Sequence, residues 1–336
     1  MKKAVVIFLA GILLISGCTA EKERETDKEP QTPDEESVLF VFSPDNSSLS
    51  KEEKEAYAIV DGAIEKAYGF LNRVYGKDGM HGSAAEILHS DMKALPDSHV
   101  SFYEKAGPEV REAYDEMLEA VRDVKPYSFN GDDKENGWNI LLTAEYALRM
   151  DHPEYSLYHS ADFEDGNMVP SYYPANDTDK KNQGSKEEML AALNRYRLAE
   201  KRIVDNVPKE ASDVQKYLYF AAVLCYRSRY DRSLKSRDDP FQAYDCLIVG
   251  NSICQAYAEC FLRLCRKEGM DCTNINNDEH IWSRVKTEEG TYYIDVTFMD
   301  QDAEKEENEI SLLYFLMDET FMKSRGNYRD GKEYDE

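Results

Sequence analysis

Apolar residues recur at helical spacing along most of this chain and change to strand-like alternation only towards its C-terminal end. From Ser50 to Val74, the residues Ala56, Ile59, Val60, Ala63 and Ala67 share one face, and Ser50 with Glu53 forms a capping-box pair. A second helix is predicted over Pro108–Val124, with proline in its first turn. A third is predicted over Trp138–Met150, stopping ahead of His152-Pro153 because the residue before a proline disfavours the helical region. Asn182 to Lys186 is a turn signal, after which Ser185 caps a long helix through Val207, closed by Pro208. Another helix is predicted over Ser212–Arg227, and Arg229–Tyr244 reads as a polar loop. The last strong helical pattern, Gln255–Lys267, carries Ala256, Ala258, Phe261, Leu262, Leu264 and Cys265.

Strand patterns are fewer. Ser37–Phe42 is a short apolar run that opens the folded region as a strand, and Met150–Pro174 reads as irregular or strand-containing. Ile281–Lys286 and Thr291–Phe298 alternate as two strands joined at Glu288-Glu289-Gly290. With a two-residue loop at Glu288-Glu289, His280 faces Thr297, Trp282 faces Asp295, and His280 and Asp295 become diagonal neighbours on one face. A three-residue turn without a bulge puts them on opposite faces. The expected fold class is therefore α+β, with a mainly helical region over 37–182 and an α+β region over 183–330.

The N-terminal end reads differently. Lys2 and Lys3 precede an apolar stretch, Ala4–Ile15, that is too short for a membrane-spanning helix, so 1–17 is a targeting segment. Leu14-Ile15-Ser16-Gly17-Cys18 resembles the lipobox of bacterial lipoproteins. That resemblance implies a lipid on the Cys18 thiol, an extracytoplasmic location at the cell surface or in a periplasm, and membrane contact through the lipid anchor alone. Residues 18–36 are charged and free of large apolar groups, as in a solvated tether.

Composition narrows the chemistry. A hydrophobic fraction of 42% with 23 Tyr and 13 Phe supplies a packed core, while a net charge of −25 repels nucleic acid, so no nucleic-acid partner is expected. The chain has no C-x-x-C pair for a structural zinc. Asn130-Gly131-Asp132-Asp133 and Asn176-Asp177-Thr178-Asp179 lack the spaced glycine and glutamate of a calcium loop. No metal or cofactor is expected. The cysteines at 225, 246, 260, 265 and 272 stay open between core thiols and disulfides, and the oligomeric state is not encoded.

The reactive residue types gather between Gly250 and Thr297. Cys254 opens a helical pattern, where unpaired amides and the positive end of the helix dipole favour a thiolate, and the same amides can receive an oxyanion. A buried structural cysteine is the commoner reading of such a residue alone. His280 and Asp295 change that balance, since a carboxylate beside an imidazole fixes its tautomer and stabilises its cation. Tyr257 and Trp282 are candidates to line the site, with packing the stronger reading for both; Trp282 is expected to bury against the helix.

Gly250-x-x-x-Cys254-Gln255-Ala256-Tyr257-Ala258, His280-Ile281-Trp282 and Tyr293-Ile294-Asp295-Val296-Thr297, in this order, resemble the bacterial transglutaminase-like superfamily. Tyr230-Asp231 and Ala243-Tyr244 lead in, Tyr314-Phe315-Leu316-Met317 trails, and the likeness spans roughly 185–325. Ser252, Ala256 and Ser283 stand where the family pattern has glycine, glycine and asparagine. The resemblance implies a papain-like core, with a nucleophile helix packed on an antiparallel sheet. It implies Cys254 as nucleophile, His280 as general base then acid, and Asp295 as the orienting carboxylate. It also implies an amide substrate, a peptide or protein, and the extracytoplasmic location points to cell-wall peptide or exported protein. The rival readings are a catalytically inactive binding or assembly module of the same fold and a ligand-binding lipoprotein.

Overall fold

The computed structural model describes residues 40–75, 102–128, 134–162, 167–170, 184–232, 243–277, 279–300, 310–324, 328 and 332–333. The targeting segment, Cys18, the tether, both candidate calcium loops and the acidic stretch 301–309 lie outside the described residues.

The helices follow their local signals closely. Helix α1 (Lys51–Tyr75) starts at a capping box, in which Ser50 Oγ accepts from the Glu53 amide at 3.1 Å and the Ser50 amide donates to Glu53 at 2.8 Å. A short helix α2 (Phe102–Lys105) precedes α3 (Pro108–Asp123), which has proline at its start and Val124 in the left-handed region, φ 51°, at its end. Helix α4 (Lys134–Asp151) begins four residues earlier than the pattern predicted and stops where Pro153 requires. Helices α5 (Lys186–Asp205) and α6 (Asp213–Arg227) each open on a capping box, Ser185 with Glu188 and Ser212 with Gln215. Phe40-Val41-Phe42, expected as part of a strand, instead lies across α1. Asn72 exchanges hydrogen bonds with both backbone groups of Phe40, and Phe42 packs on Tyr68.

Helix α6 is the centre of the molecule. Every side chain from Tyr217 to Cys225 is at most 1% exposed, so the helix is apolar on all faces and needs neighbours all round. α1 packs against it, with α5 packed in turn on α1, and α7 (Cys254–Lys267), the last long helix, lies against it as well. Tyr217 donates from its hydroxyl to the carbonyls of Asp271 and Lys286, at 2.6 and 2.8 Å, and Tyr219 does so to Ile203 at 3.0 Å. One hydrophobic cluster runs from Val60 to Leu316 and crosses position 183 without a break. The division read at 183 falls between the strand Asn167–Pro170 and α5, and this cluster has members on both sides of it.

Three sheets complete the described fold. β1 (Tyr127–Ser128), β2 (His159–Asp162) and β3 (Asn167–Pro170) form a small antiparallel sheet in the order β1-β3-β2, within the stretch read as strand-containing. Arg229–Tyr230 (β4) and Asn251–Ser252 (β5) make a two-residue parallel bridge where a polar loop was expected. The larger sheet has the order β8-β7-β6-β9, with β6 (Cys272–Asn276), β7 (Ile281–Thr287), β8 (Gly290–Ile294) and β9 (Lys332–Glu333) antiparallel. Pairing from Thr287–Gly290 to Ser283–Ile294 gives the register of a two-residue loop at Glu288-Glu289. The loop is held by the Glu289 amide donating to Thr287 Oγ1 and by Gly290 at φ 141°. One face of this sheet, with Cys272, Val285, Tyr292 and Ile294, joins the core around α7, and the other carries Ile275, Trp282 and Tyr293.

The second strand of the hairpin ends sooner than its alternation suggested. Asp295 leaves the ladder and becomes the cap of α8 (Val296–Met299), accepting from the Phe298 amide at 3.0 Å. Thr297 therefore does not pair with His280. Beyond α8, the chain runs along the free edge of β8. There Tyr293 and Met317 exchange backbone hydrogen bonds, and the Asp295 amide donates to Tyr314. It continues through α9 (Glu319–Ser324) over the outer face and ends as β9 on the opposite edge.

Candidate active site

Cys254 is the first residue of α7, and its placement is over-determined from behind. The parallel bridge β4–β5 joins the end of α6 to the residues just ahead of the cysteine, with the Asp231 amide donating to Ser252 and the Arg229 amide to Gly250. Gly250 sits at φ 86°, and a Cβ there would lie 2.2 Å from Arg227 Nη1 and 3.1 Å from the Arg227 carbonyl. Ser252, where the family pattern has glycine, is fully buried and shares a 2.9 Å hydrogen bond between its hydroxyl and that of Ser228. Ala256, the other replacement, is buried in the core. The cysteine itself is partly exposed, and the first-turn amides of α7 point past it, out of the helix.

His280 stands just before β7. Its Nε2 lies 2.6 Å from Asp295 Oδ2, with the histidine side chain 10% and the carboxylate 1% exposed. The Cys254 thiol is also close enough to act on the imidazole, and Asp295 holds the ring through Nε2. The three residues singled out in the sequence are thus brought together. Burial disfavours the imidazolium, but the charge and hydrogen bond of Asp295, joined by those of Cys254, outweigh it and push the His280 pKa up to about 10. Proton retention at neutral pH makes His280 a ready acid and a counter-charge for a thiolate.

Aromatic side chains enclose the imidazole. Trp282 stacks on it at 5.9 Å with rings 18° apart, and Phe298 packs at 4.8 Å. Trp282 is buried as expected, but on the face of the sheet opposite α7, against Tyr328, Met317 and Met322 rather than against the helix. Tyr257 does not line the site. It is fully buried, its hydroxyl donates to Asp300 at 2.5 Å, and burial holds that hydroxyl neutral far beyond its usual range. Ser283, in the place of the family's asparagine, is buried on the α7 side and donates to Asn274 Oδ1 at 3.0 Å.

Two tyrosines belong to the site beyond the three expected residues. Tyr230, on β4, is close enough to Cys254 and Asp295 that their charges, after burial, help push its pKa up to about 12. Its signal in the sequence was its place in the motif leading up to the cysteine. Tyr328 donates from its hydroxyl to Asp295 Oδ2 at 2.7 Å. Thirty-three residues separate the two, and no local pattern links them.

Among the described residues, no cluster of His, Cys, Asp and Glu is arranged to hold a metal, and no helix is long and apolar enough to cross a membrane. A surface cavity of about 560 Å³, lined by Ala106, Pro108, Arg111, Glu112, Asp115 and Glu116, contains none of the site residues. Charged side chains dominate its lining, and it has no nucleophile paired with a base. No protein-family model matches the chain, and no curated protein is detectably similar to it.

Proposed function

We propose that this chain is a cysteine acyl-transfer enzyme of the transglutaminase-like type, acting on an amide bond of a peptide or protein. The observation that carries the reading is the convergence of three elements on one site: Cys254 at the start of α7, and His280 close enough for that thiol to act on it and hydrogen-bonded at 2.6 Å to Asp295. A helix carrying the nucleophile against an antiparallel sheet carrying its partners is also the arrangement that the papain-like likeness implies. In this reaction the thiolate adds to the amide carbonyl, and the oxyanion is received by the Cys254 amide at the helix start. His280 gives its proton to the leaving nitrogen as the C–N bond breaks, which leaves a thioester and a free amine. Water then resolves the thioester in a peptidase or deamidase, or a second amine does so in a crosslinking enzyme, each yielding its proton to His280. With the lipobox-like start of the chain, the substrate belongs to the cell envelope, as cell-wall peptide or exported protein.

The decisive measurement is alkylation by iodoacetamide with the labelled cysteine mapped. Cys254 is expected to react first at pH 7, and His280→Ala to slow that reaction by about tenfold or more, because a free thiol is only a few per cent ionised there. Slow labelling of all cysteines, unchanged by the substitution, would favour an inactive binding or assembly module. Product analysis with candidate peptide amides, with and without added amine, then identifies the acceptor.

A further inference from the structure

The C-terminal chain reaches back into the site through one hydroxyl. Tyr328 is 2% exposed and sits edge-on to Trp282 at 4.9 Å, with Phe298 and His280 at 6.2 and 6.1 Å. Its hydroxyl donates at 2.7 Å to Oδ2 of Asp295, the same oxygen that holds His280 Nε2 at 2.6 Å. The other oxygen, Oδ1, takes the Phe298 amide. Both carboxylate oxygens are therefore occupied, and the plane of the group is set by the cap of α8 on one side and by Tyr328 on the other. The segment is anchored at both ends, by the exchange of hydrogen bonds between Met317 and Tyr293 and by β9 on Ile275 and Asn276. A buried tyrosine needs a partner for its hydroxyl, but the partner here is the one carboxylate that orients the imidazole.

We propose that Tyr328 is a positioning residue that tunes the Asp295–His280 pair and makes the C-terminal segment an integral part of the active site. A donor on the carboxylate stabilises the anion and spreads its charge, which weakens its hold on the imidazolium proton. Tyr328 thus keeps His280 oriented while limiting how tightly Asp295 retains its proton, so that the proton can be passed to a leaving group. Among the described residues, the ionisable groups acting on His280 are Asp295 from α8 and Cys254 from α7, with Tyr230 of β4 beside them and neutral until about pH 12. The inference rests on the acyl-transfer reading for its catalytic meaning, but its electrostatic content can be measured separately.

The test is the pH dependence of Cys254 alkylation in the intact chain, together with the titration of the His280 ring protons by NMR. Tyr328→Phe keeps the ring against Trp282 and removes the donor. The alkaline limb and the His280 titration are both expected to move up by about half a unit to one unit. Placing 3-fluorotyrosine at 328 strengthens the donor and is expected to move both down, which gives a readout even if the phenylalanine variant does not fold. An unchanged or oppositely shifted His280 titration overturns the role of Tyr328. If alkylation of the unaltered protein is insensitive to His280→Ala while the His280 titration responds to residue 328 as expected, the acyl-transfer reading fails and the electrostatic role of Tyr328 stands.

Discussion

Asp295 does two jobs, capping α8 with one oxygen and holding His280 with the other. Its charge is the main reason that His280 keeps its proton to about pH 10, against an ordinary value of 6.5. Because the folded state raises this pKa, the stabilisation is fully present below about pH 6.5 and is lost as the pH climbs through about 10. Asp295→Asn retains a capping side chain while removing the charge. Urea unfolding between pH 6.5 and 10 is therefore expected to show stability falling with pH by up to about 1.4 kcal/mol per unit, with the slope flattened in the asparagine variant. Equal slopes in the two proteins would mean that the carboxylate does not hold the proton.

At the scale of elements, the turn into α7 bears the most constraint. Gly250 combines a left-handed backbone with close approach to Arg227, whose guanidinium reaches the Ile248 carbonyl across the same turn. Gly250→Ala must force φ 86° on a residue with a Cβ and push that guanidinium aside. It is expected to cost about 1–3 kcal/mol in chemical denaturation and to slow alkylation of Cys254, since Cys254 is placed by this turn. Gly62, within α1, makes the contrast. A Cβ there meets nothing within 4 Å, so Gly62→Ala is expected to stabilise by about 0.5–1 kcal/mol through helix propensity alone. If both substitutions destabilise equally, the strain assigned to the turn is not there.

At the scale of the whole molecule, buried charge ties the N-terminal helices to α7. Arg263 of α7 bridges Glu154 at 3.0 Å and Glu200 of α5 at 2.6 Å, and Arg266 reaches Asp151 at the end of α4. Arg149 of α4 and Gln255, next to Cys254, both donate to the buried Glu259. Burial raises the Glu200 pKa even with Arg263 opposing it, so this arginine is what allows the carboxylate to stay buried. Arg263→Ala takes an arginine partner from two buried carboxylates and is expected to cost about 3–5 kcal/mol. Because the core crosses position 183, the loss should appear in a single unfolding transition of the whole chain, followed in parallel by circular dichroism and tyrosine fluorescence. Two separate transitions would favour 183 as a boundary between domains.

The parts that were legible in the amino-acid sequence are those decided by neighbours along the chain. Ser50, Ser185 and Ser212 marked helix starts because a cap is satisfied within three residues. The hairpin at Glu288-Glu289-Gly290 was legible too, but its register stayed open between a two-residue and a three-residue turn. The two-residue loop found is the one that keeps His280 and Asp295 on one side, because side-chain direction along a strand has a period of two. Tertiary packing decided the rest. The unbroken apolar run Tyr217–Cys225 marks α6 for burial on every side, but which elements cover it depends on what else packs there. Trp282 went to the face away from α7 because the C-terminal segment covers that face, and Asp295 left the strand to cap α8 while still meeting His280. Tyr328 joined the site across 33 residues. A contact at that separation depends on how the intervening elements pack and leaves no periodic trace in the sequence.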